Sequence, residues 1–204
     1  FAKMKNLYHI ESIFRNCNSL TSIPYNLFVF NTELRSMNWV FHECDNLESI
    51  PASLFRNNSL VESFYGTFDN CDKLKHIPGT LFYTNSKVTS FENTFCNCYA
   101  LEEIPAELFS RNKNVRNFRS TFHYCYNLKE IPVSLFDNNR KVINFAYTFH
   151  CCHALTGESP YTTIDGVKYH LYERHLNPDH FAPPIEKSGC YSGCEGLTDS
   201  ELIG

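Results

Sequence analysis

Residues 95–105 read FCNCYALEEIP, and a matching string recurs along the chain every 27 residues. The string places a Phe, a Cys, a Leu and an Ile-Pro pair at steps of three residues. The prolines mark the period most clearly: Pro24, Pro51, Pro78, Pro105 and Pro132. A fixed period of this length is typical of solenoids, in which identical coils stack on one another.

Further residue types keep the same period between Leu7 and Leu155. The in-register cysteines are Cys17, Cys44, Cys71, Cys98, Cys125 and Cys152. A Leu-Phe pair follows each Ile-Pro, as at Leu108 and Phe109, and an Asn follows three residues later, as at Asn112. One such coil has too few apolar side chains to fold alone, so each apolar position is expected to lie over its equivalent in the next coil.

The local chemistry of one unit predicts an α/β repeat fold with 27-residue coils. Apolar segments such as residues 20–24 and 61–64 are expected to stack as two short parallel strand ladders. Short helical turns are expected after each Ile-Pro, as in residues 105–109, and around residues 95–98. Seven side chains of one unit are predicted to point inward: Phe68, Cys71, Leu74, Ile77, Phe82, Val88 and Phe91.

The block Phe-x-x-Cys-x-x-Leu-x-x-Ile-Pro resembles the BspA-type leucine-rich repeats of bacterial surface proteins, especially those of Bacteroides-like gut bacteria. The resemblance covers residues 7–155. It implies a right-handed leucine-rich-repeat solenoid, an extracellular or outer-surface location reached either by export or by lipid anchoring through a preceding segment, and a role in adhesion or in host or matrix contact. The unit departs from the commonest members because it is longer and carries the extra Leu-Phe turn.

The register changes after Leu155. The next Cys-x-x-Leu, Cys194 to Leu197, comes 42 residues after Cys152. Residues 161–172 alternate around the hairpin dipeptide at positions 165 and 166. We therefore interpret residues 1–155 as a solenoid of about six coils. Residues 156–204 are expected to belong to the same domain, with a hairpin-containing insertion to residue 189 and a truncated capping half-coil from residue 190.

Composition and charge exclude several functional classes. The net charge is -4 and no Lys/Arg cluster occurs along the sequence, so we expect no nucleic-acid partner. No apolar run is long enough to span a bilayer, so we expect no transmembrane segment in this chain. The chain begins at Phe1 without a signal-like segment, and we therefore interpret it as a mature chain or a piece of a longer one.

The cysteines and histidines are predicted to be structural or solvated rather than catalytic. The in-register cysteines are expected to be buried free thiols that satisfy a backbone group. A disulfide among Cys96, Cys151, Cys190 and Cys194 is an open alternative. Adjacent residues in the string at 150–153 cannot all face one metal ion, and His170, His175 and His180 are expected in a solvated loop. The sequence therefore predicts no metal, no cofactor, no catalytic residue and no enzyme activity.

Positions that vary inside a strict repeat are the natural place for a binding surface. Aromatic and imidazole groups accumulate there towards the C-terminal half: Tyr99, His123, Tyr124, Tyr126, His150 and His153. They favour a surface-displayed interaction or adhesion module that binds a protein or a host or matrix component. Because the stripe contains imidazoles, its affinity for the partner is expected to change between about pH 5 and 8. The alternatives are a glycan-binding module that uses the same stripe and a structural spacer of a longer surface protein. A second candidate surface carries Lys75, Glu102, Lys129 and Glu130.

Overall fold

The computed structural model of the chain describes residues 7–183 and 186–199. Isolated parallel bridges connect positions 27 residues apart, beginning with His9 to Ser36. The same column continues at this step through Ser63, Ser90, Asn117 and Asn144, and its last bridge passes over the insertion from Asn144 to Glu186. The period of the sequence is therefore the period of the structure, which is a solenoid of stacked 27-residue coils.

Columns of stacked phenylalanines fill the interior of the solenoid. The rings of Phe68 and Phe95 stack with centroids 5.6 Å apart and planes 4° apart. Phe82 and Phe109 repeat this arrangement at 6.2 Å in a second column. All seven side chains predicted to point inward are at most 3% exposed. The predicted core register is confirmed.

The two expected strand ladders are reduced to single bridges, and this corrects the predicted element type. The second column has only the bridges Ser22 to Ser49 and Gly157 to Leu197 among the described residues. Elsewhere that column is joined by bonds such as Glu102 N–H to the Lys75 carbonyl, 3.1 Å. The Ile-Pro pair explains the shortness, because Pro has no amide hydrogen to extend a ladder.

The expected short helical turns are consecutive three-residue turns rather than helix. Leu108 N–H donates to the Pro105 carbonyl at 3.1 Å in the turn after Ile-Pro. In the turn that precedes each Cys, alternate amides donate to the neighbouring coil, as Phe68 does to the Thr94 carbonyl at 2.9 Å. Two residues of each such turn, four positions apart, have left-handed backbone angles, as Gly66 and Asn70 do with φ of 58°.

Two polar ladders run through the stack. Asn112 Nδ2 donates to the Asn85 carbonyl at 2.9 Å and to the Phe82 carbonyl at 3.2 Å, and other ladder asparagines repeat both bonds one coil away. The thiol of Cys98 donates to the Phe68 carbonyl at 3.2 Å. The in-register cysteines from Cys44 to Cys152 make the equivalent bond, and so does Cys194. These side chains give buried carbonyls a second donor beside the turn amide, since the Phe68 carbonyl also accepts from the Cys71 N–H at 3.3 Å.

The regular secondary structure of the described residues lies in the insertion. Strands β1 (Tyr161–Ile164) and β2 (Val167–His170) pair antiparallel around Asp165 and Gly166, and a 3₁₀ helix follows at Leu171–Leu176. The chain then returns to the stack, where Tyr191 stacks on Phe149 at 5.7 Å. Residues 1–6, 184–185 and 200–204, which include both ends of the predicted solenoid and cap units, lie outside the described part.

Candidate functional site

Three rings of the predicted stripe form one stacked column on the surface. Tyr99, Tyr126 and His153 occupy equivalent positions of successive coils. The Tyr99 and Tyr126 rings are 5.2 Å apart with planes 8° apart, and the Tyr126 and His153 rings are 5.5 Å apart with planes 10° apart. The His153 Nδ1 also lies 2.9 Å from the Gly193 carbonyl. Residues far apart in sequence therefore form a continuous aromatic surface.

The remaining predicted residues flank this column and contact it. Tyr124 lies 5.7 Å from the Tyr126 ring and 6.0 Å from the His150 ring. His123 stacks on Tyr124 at 3.9 Å and meets His150 edge-on at 4.8 Å. The structure thus brings all six predicted site residues together.

Tyr147 belongs to the same surface, although the sequence reasoning missed it. Its ring lies 5.5 Å from the His150 ring and 6.2 Å from the His123 ring. The Arg119 guanidinium lies 5.1 Å from the Tyr147 ring centre. Its sequence position could have indicated this, because Tyr147 occupies a second variable column of the repeat, two residues after the core residue Phe145. We call the seven residues Tyr99, His123, Tyr124, Tyr126, Tyr147, His150 and His153 the aromatic cluster.

The stacking limits what the aromatic cluster can bind. Each face of the Tyr126 ring is covered by a neighbouring ring, Tyr99 on one side and His153 on the other. A sugar packs on an aromatic ring through its flat face, so the middle of the column offers it no platform. Ring edges and phenol hydroxyls face outward instead, and these suit edge-to-face contacts and hydrogen bonds with a protein.

Two tyrosines of the cluster have an unfavourable backbone conformation. Tyr124 has φ of 60° and Tyr147 has φ of 56°, in the left-handed region that costs a non-glycine residue roughly 1–2 kcal/mol. Equivalent positions of earlier coils hold Gly and Asn in several coils, as at Gly66 and Asn97, but also Trp39, Glu43 and Ser120. The left-handed backbone at these two positions therefore does not explain why tyrosine occupies them.

The imidazole of His123 is held in its neutral form. Burial, followed by the nearby charges of His150 and Arg119, lowers the pKa of His123 to about 4. This corrects the expectation that every imidazole of the stripe titrates between pH 5 and 8, because His123 stays uncharged across that range. Half-burial beneath Tyr124 and beside His150 is the physical reason.

The same face carries a second, smaller aromatic group in earlier coils. Trp39 meets the Tyr65 ring at 4.5 Å and the His42 ring at 4.6 Å. Its indole lies over Gly66, where an added Cβ would be 2.3 Å from the ring. Asp69 is buried beside His42, with 3.5 Å between Oδ2 and the His42 Nδ1, and burial raises the pKa of Asp69. The sequence reasoning did not select this group.

The thiols have the properties of structural groups. All ten cysteines are free, including the four for which a disulfide was left open. Burial raises the pKa of the Cys44 thiol to about 11 and that of Cys190 to about 12. A nucleophilic cysteine requires the opposite shift, because the thiolate is the reactive form.

A Ser, a His and an Asp meet at the base of the insertion, but not with the geometry of a hydrolase triad. The Ser159 hydroxyl lies 2.9 Å from the His170 Nδ1 and donates to the Asp199 carboxylate, which is 3.4 Å from the same Nδ1. In a triad the Ser and the Asp contact opposite imidazole nitrogens. Ser159 is also fully buried. The three groups fasten the hairpin to the C-terminal turn.

Two further site types were searched within the described ranges. There, no group of three His, Cys, Asp or Glu side chains could hold a metal ion. In the same ranges, no helix has the length and apolar character needed to cross a membrane. The second candidate surface lies around a groove of about 440 Å³, where the Lys129 Nζ is 2.9 Å from the Glu102 Oε2.

Several solved structures similar to this chain are leucine-rich repeat proteins. The T. pallidum leucine-rich repeat protein has a TM-score of 0.48 and 18% identity, over 93% of this chain and 71% of its own. The APL1 leucine-rich repeat domain has 0.45 and 13%, over 70% of this chain and 37% of its own. A leucine-rich cell surface protein from Faecalibacterium prausnitzii has 0.27 and 20%, over 75% and 41%. No protein-family model matches the sequence, and no curated protein does. The BspA-type resemblance therefore stays a prediction.

Proposed function

We propose that this chain is a surface-displayed, non-catalytic interaction module. Its partner is a host or matrix protein, which it binds through the aromatic cluster. The observation that carries the proposal is the conformation of Tyr124 and Tyr147, with φ of 60° and 56°. A left-handed backbone position gains no stability from a tyrosine, because that conformation costs any residue with a large side chain. Binding supplies the missing reason for the side chain, since tyrosine is enriched at interface hot spots.

The covered ring faces favour a protein partner over a glycan at this surface. Tyr126 is stacked on both sides, and it is 40% exposed, so a partner reaches its edge and hydroxyl. His123 is uncharged near neutral pH because its pKa is about 4. The surface thus combines apolar edges, hydroxyls and neutral imidazole, a mixture common at the centre of protein interfaces.

The test measures binding of the purified chain to immobilised fibronectin, laminin and collagen in a biosensor. A double variant, Tyr124→Asn with Tyr126→Ala, should weaken binding by about 2 kcal/mol or more, which is about thirtyfold. Its stability should stay close to that of the parent, because Asn tolerates the left-handed backbone at position 124. A matched control replaces two exposed tyrosines of another edge, Tyr25→Ala with Tyr83→Ala, and should bind as the parent does.

Three results would argue against the proposal. Equal losses in the test and control variants would show that the contact is not at the aromatic cluster. A loss confined to Lys129→Ala with Glu130→Ala would move the contact to the second candidate surface. If no matrix protein binds and the double variant behaves like the parent in every assay, the structural-spacer alternative is favoured.

A further inference from the structure

Cations that are scattered along the sequence gather on one edge of the solenoid. The edge consists of residues 27–33, 54–60, 81–87, 108–114 and 135–141, the turns that begin at each Leu-Phe pair. These turns touch one another, since Asn57 Nδ2 donates to the Val29 carbonyl at 3.0 Å and Thr84 Oγ1 donates to the Arg56 carbonyl at 2.9 Å. Six exposed cations lie there: Arg56, Lys87, Arg111, Lys113, Arg140 and Lys141. We call this surface the basic edge.

The basic edge has an excess of positive charge although the whole chain is negative. Its only acidic residues are Glu33 and Asp137, whereas the net charge of the chain is -4. Four of the five turns contribute one or two cations each, and residues 27–33 contribute none, so no single turn looks basic in the linear sequence. Stacking brings them within range of one another, because the screening length at physiological salt is about 8 Å.

Two adjoining grooves open on this edge around one arginine. They have volumes of about 480 and 460 Å³ and share Ser53 and Arg56 as lining residues. Tyr25 lines one groove, and Tyr83 lines the other. The Arg56 guanidinium makes no hydrogen bond or ion pair within residues 7–183 and 186–199. We call the two together the Arg56 groove.

The two tyrosines of the Arg56 groove differ in how much ring surface they offer. Tyr25 is 70% exposed, and its ring stacks on no other ring in the described part of the chain. Tyr83 is engaged by Arg111, whose Nη2 donates to the phenol oxygen at 2.6 Å and whose Cζ lies 4.7 Å from the ring centre. Tyr25 therefore offers an open ring face, unlike Tyr126 of the aromatic cluster, which is stacked on both sides.

We propose that the basic edge binds a linear sulfated polysaccharide, with the Arg56 groove as its principal contact. The unpaired guanidinium of Arg56 matches a sulfate group, to which it can donate two hydrogen bonds. The hydroxyls of Ser53 and Thr80 line the groove and can bond sugar hydroxyls. The open face of Tyr25 can pack against a pyranose ring.

A sulfated glycan fits the basic edge better than a single-stranded nucleic acid does. Proteins that bind single strands use several open aromatic faces for successive bases, whereas this groove has one open ring, that of Tyr25. The remaining cations are arranged along the stack, so a chain with repeated sulfates can contact several coils at once. This site is separate from the aromatic cluster and does not depend on the proposed protein partner.

The test titrates the whole chain with a size-defined heparin oligosaccharide at physiological salt. Arg56→Ala should weaken binding about tenfold or more, a factor that corresponds to about 1.4 kcal/mol. Tyr25→Ala should weaken it severalfold without changing the net charge. The matched control is Lys75→Ala, which removes an exposed cation from a different surface and should leave the affinity unchanged. Added salt should weaken binding of the parent chain.

Three outcomes would overturn the proposal. One is no heparin binding by the parent chain at physiological salt. Another is an equal loss in Arg56→Ala and Lys75→Ala, which would indicate a diffuse charge effect rather than a site. The third is binding of single-stranded DNA of matched charge as tightly as heparin, which would indicate a nucleic-acid surface. Tyr124→Asn with Tyr126→Ala should bind heparin as the parent does, which separates this proposal from the proposed protein contact.

Discussion

The regular coils and the C-terminal insertion satisfy equivalent backbone carbonyls with different residues. Inside the stack, each ladder asparagine donates to two carbonyls of the coil before it. At the last full coil the next asparagine is missing, and Arg174 of the insertion takes its place. Its Nη1 donates to the Asn139 carbonyl and its Nη2 to the Phe136 carbonyl, both at 2.9 Å. The last coil therefore lacks the side-chain donors that a following coil would provide, and a residue of the non-repeating insertion supplies them.

The replacement requires an arginine because the donor must reach in from outside the coil. Arg174 is 1% exposed, and burial lowers its pKa to about 10. Its guanidinium lies 4.8 Å from the Phe181 ring centre and 5.4 Å from that of Phe145. Two carbonyls and two ring faces compensate the charge, which would otherwise be costly to bury. The planar fork of the guanidinium places both donors at the required separation.

The largest effect is expected from the core of a middle coil. Phe95→Ala removes a ring that stacks between Phe68 and Phe122, at 5.6 and 5.7 Å, and should lower the free energy of unfolding by about 3–5 kcal/mol. Tyr99→Ala, on the surface of the same coil, should cost under about 1 kcal/mol. Urea titrations of the two variants measure the difference. Equal losses would contradict the assigned register.

A smaller loss is expected when the cap rather than the coil is broken. Arg174→Ala removes the guanidinium donors to the Asn139 and Phe136 carbonyls, of which the Phe136 carbonyl keeps the Asn139 N–H at 3.0 Å, and should lower the free energy of unfolding by about 2–4 kcal/mol. The loss should equal or exceed that of Asn112→Ala in the middle of the ladder, because Arg174 also covers two rings. Exposed Arg140→Ala is the matched control and should change little. A loss in Arg174→Ala no larger than in the control would refute the capping role.

The smallest effect concerns the pH dependence of the coil surface. The pKa of His123 is about 4 in the folded chain, compared with its ordinary value of 6.5. Between these values the unfolded state binds the proton and the folded state does not, so this contribution destabilises the protein as the pH falls from 6.5 towards 4. His123→Gln removes this effect and should lose less stability than the parent over that range. Thermal unfolding at several pH values compares the two proteins, and parallel curves for the parent and His123→Gln would contradict the neutral state of His123.

Much of the aromatic cluster could be predicted, because equivalent positions of a strict repeat must become neighbours in space. That reasoning brought Tyr99 and Tyr126 together before any coordinates were considered. It missed Tyr147, since no neighbouring aromatic residue in its own column pointed to it. It also left the ring orientation undetermined, because spacing along the chain does not say whether two rings stack or stand apart. The stacking is what weakens the glycan alternative at this surface.

The predicted strand ladders show that the side-chain pattern did not identify the backbone conformation of the coils. Apolar segments such as residues 20–24 predict strands from side-chain pattern alone. The structure instead uses single bridges and turns with two left-handed residues in each coil. In the stack, alternate backbone amides donate hydrogen bonds to the next coil without forming a regular strand. The side-chain pattern of a single coil does not predict this arrangement.

The sequence by itself determined the period, the core columns and the column of buried cysteines, whereas the asparagines, which suit turns by their residue type, bond the preceding coil instead. Exact repetition every 27 residues leaves only one way to superimpose apolar positions, so packing follows from register. The tertiary structure alone decided which ring faces are covered, how Arg174 closes the stack and where the cations meet. Those properties depend on distances between different coils, or between a coil and the insertion. The order of residues along the chain does not specify these distances.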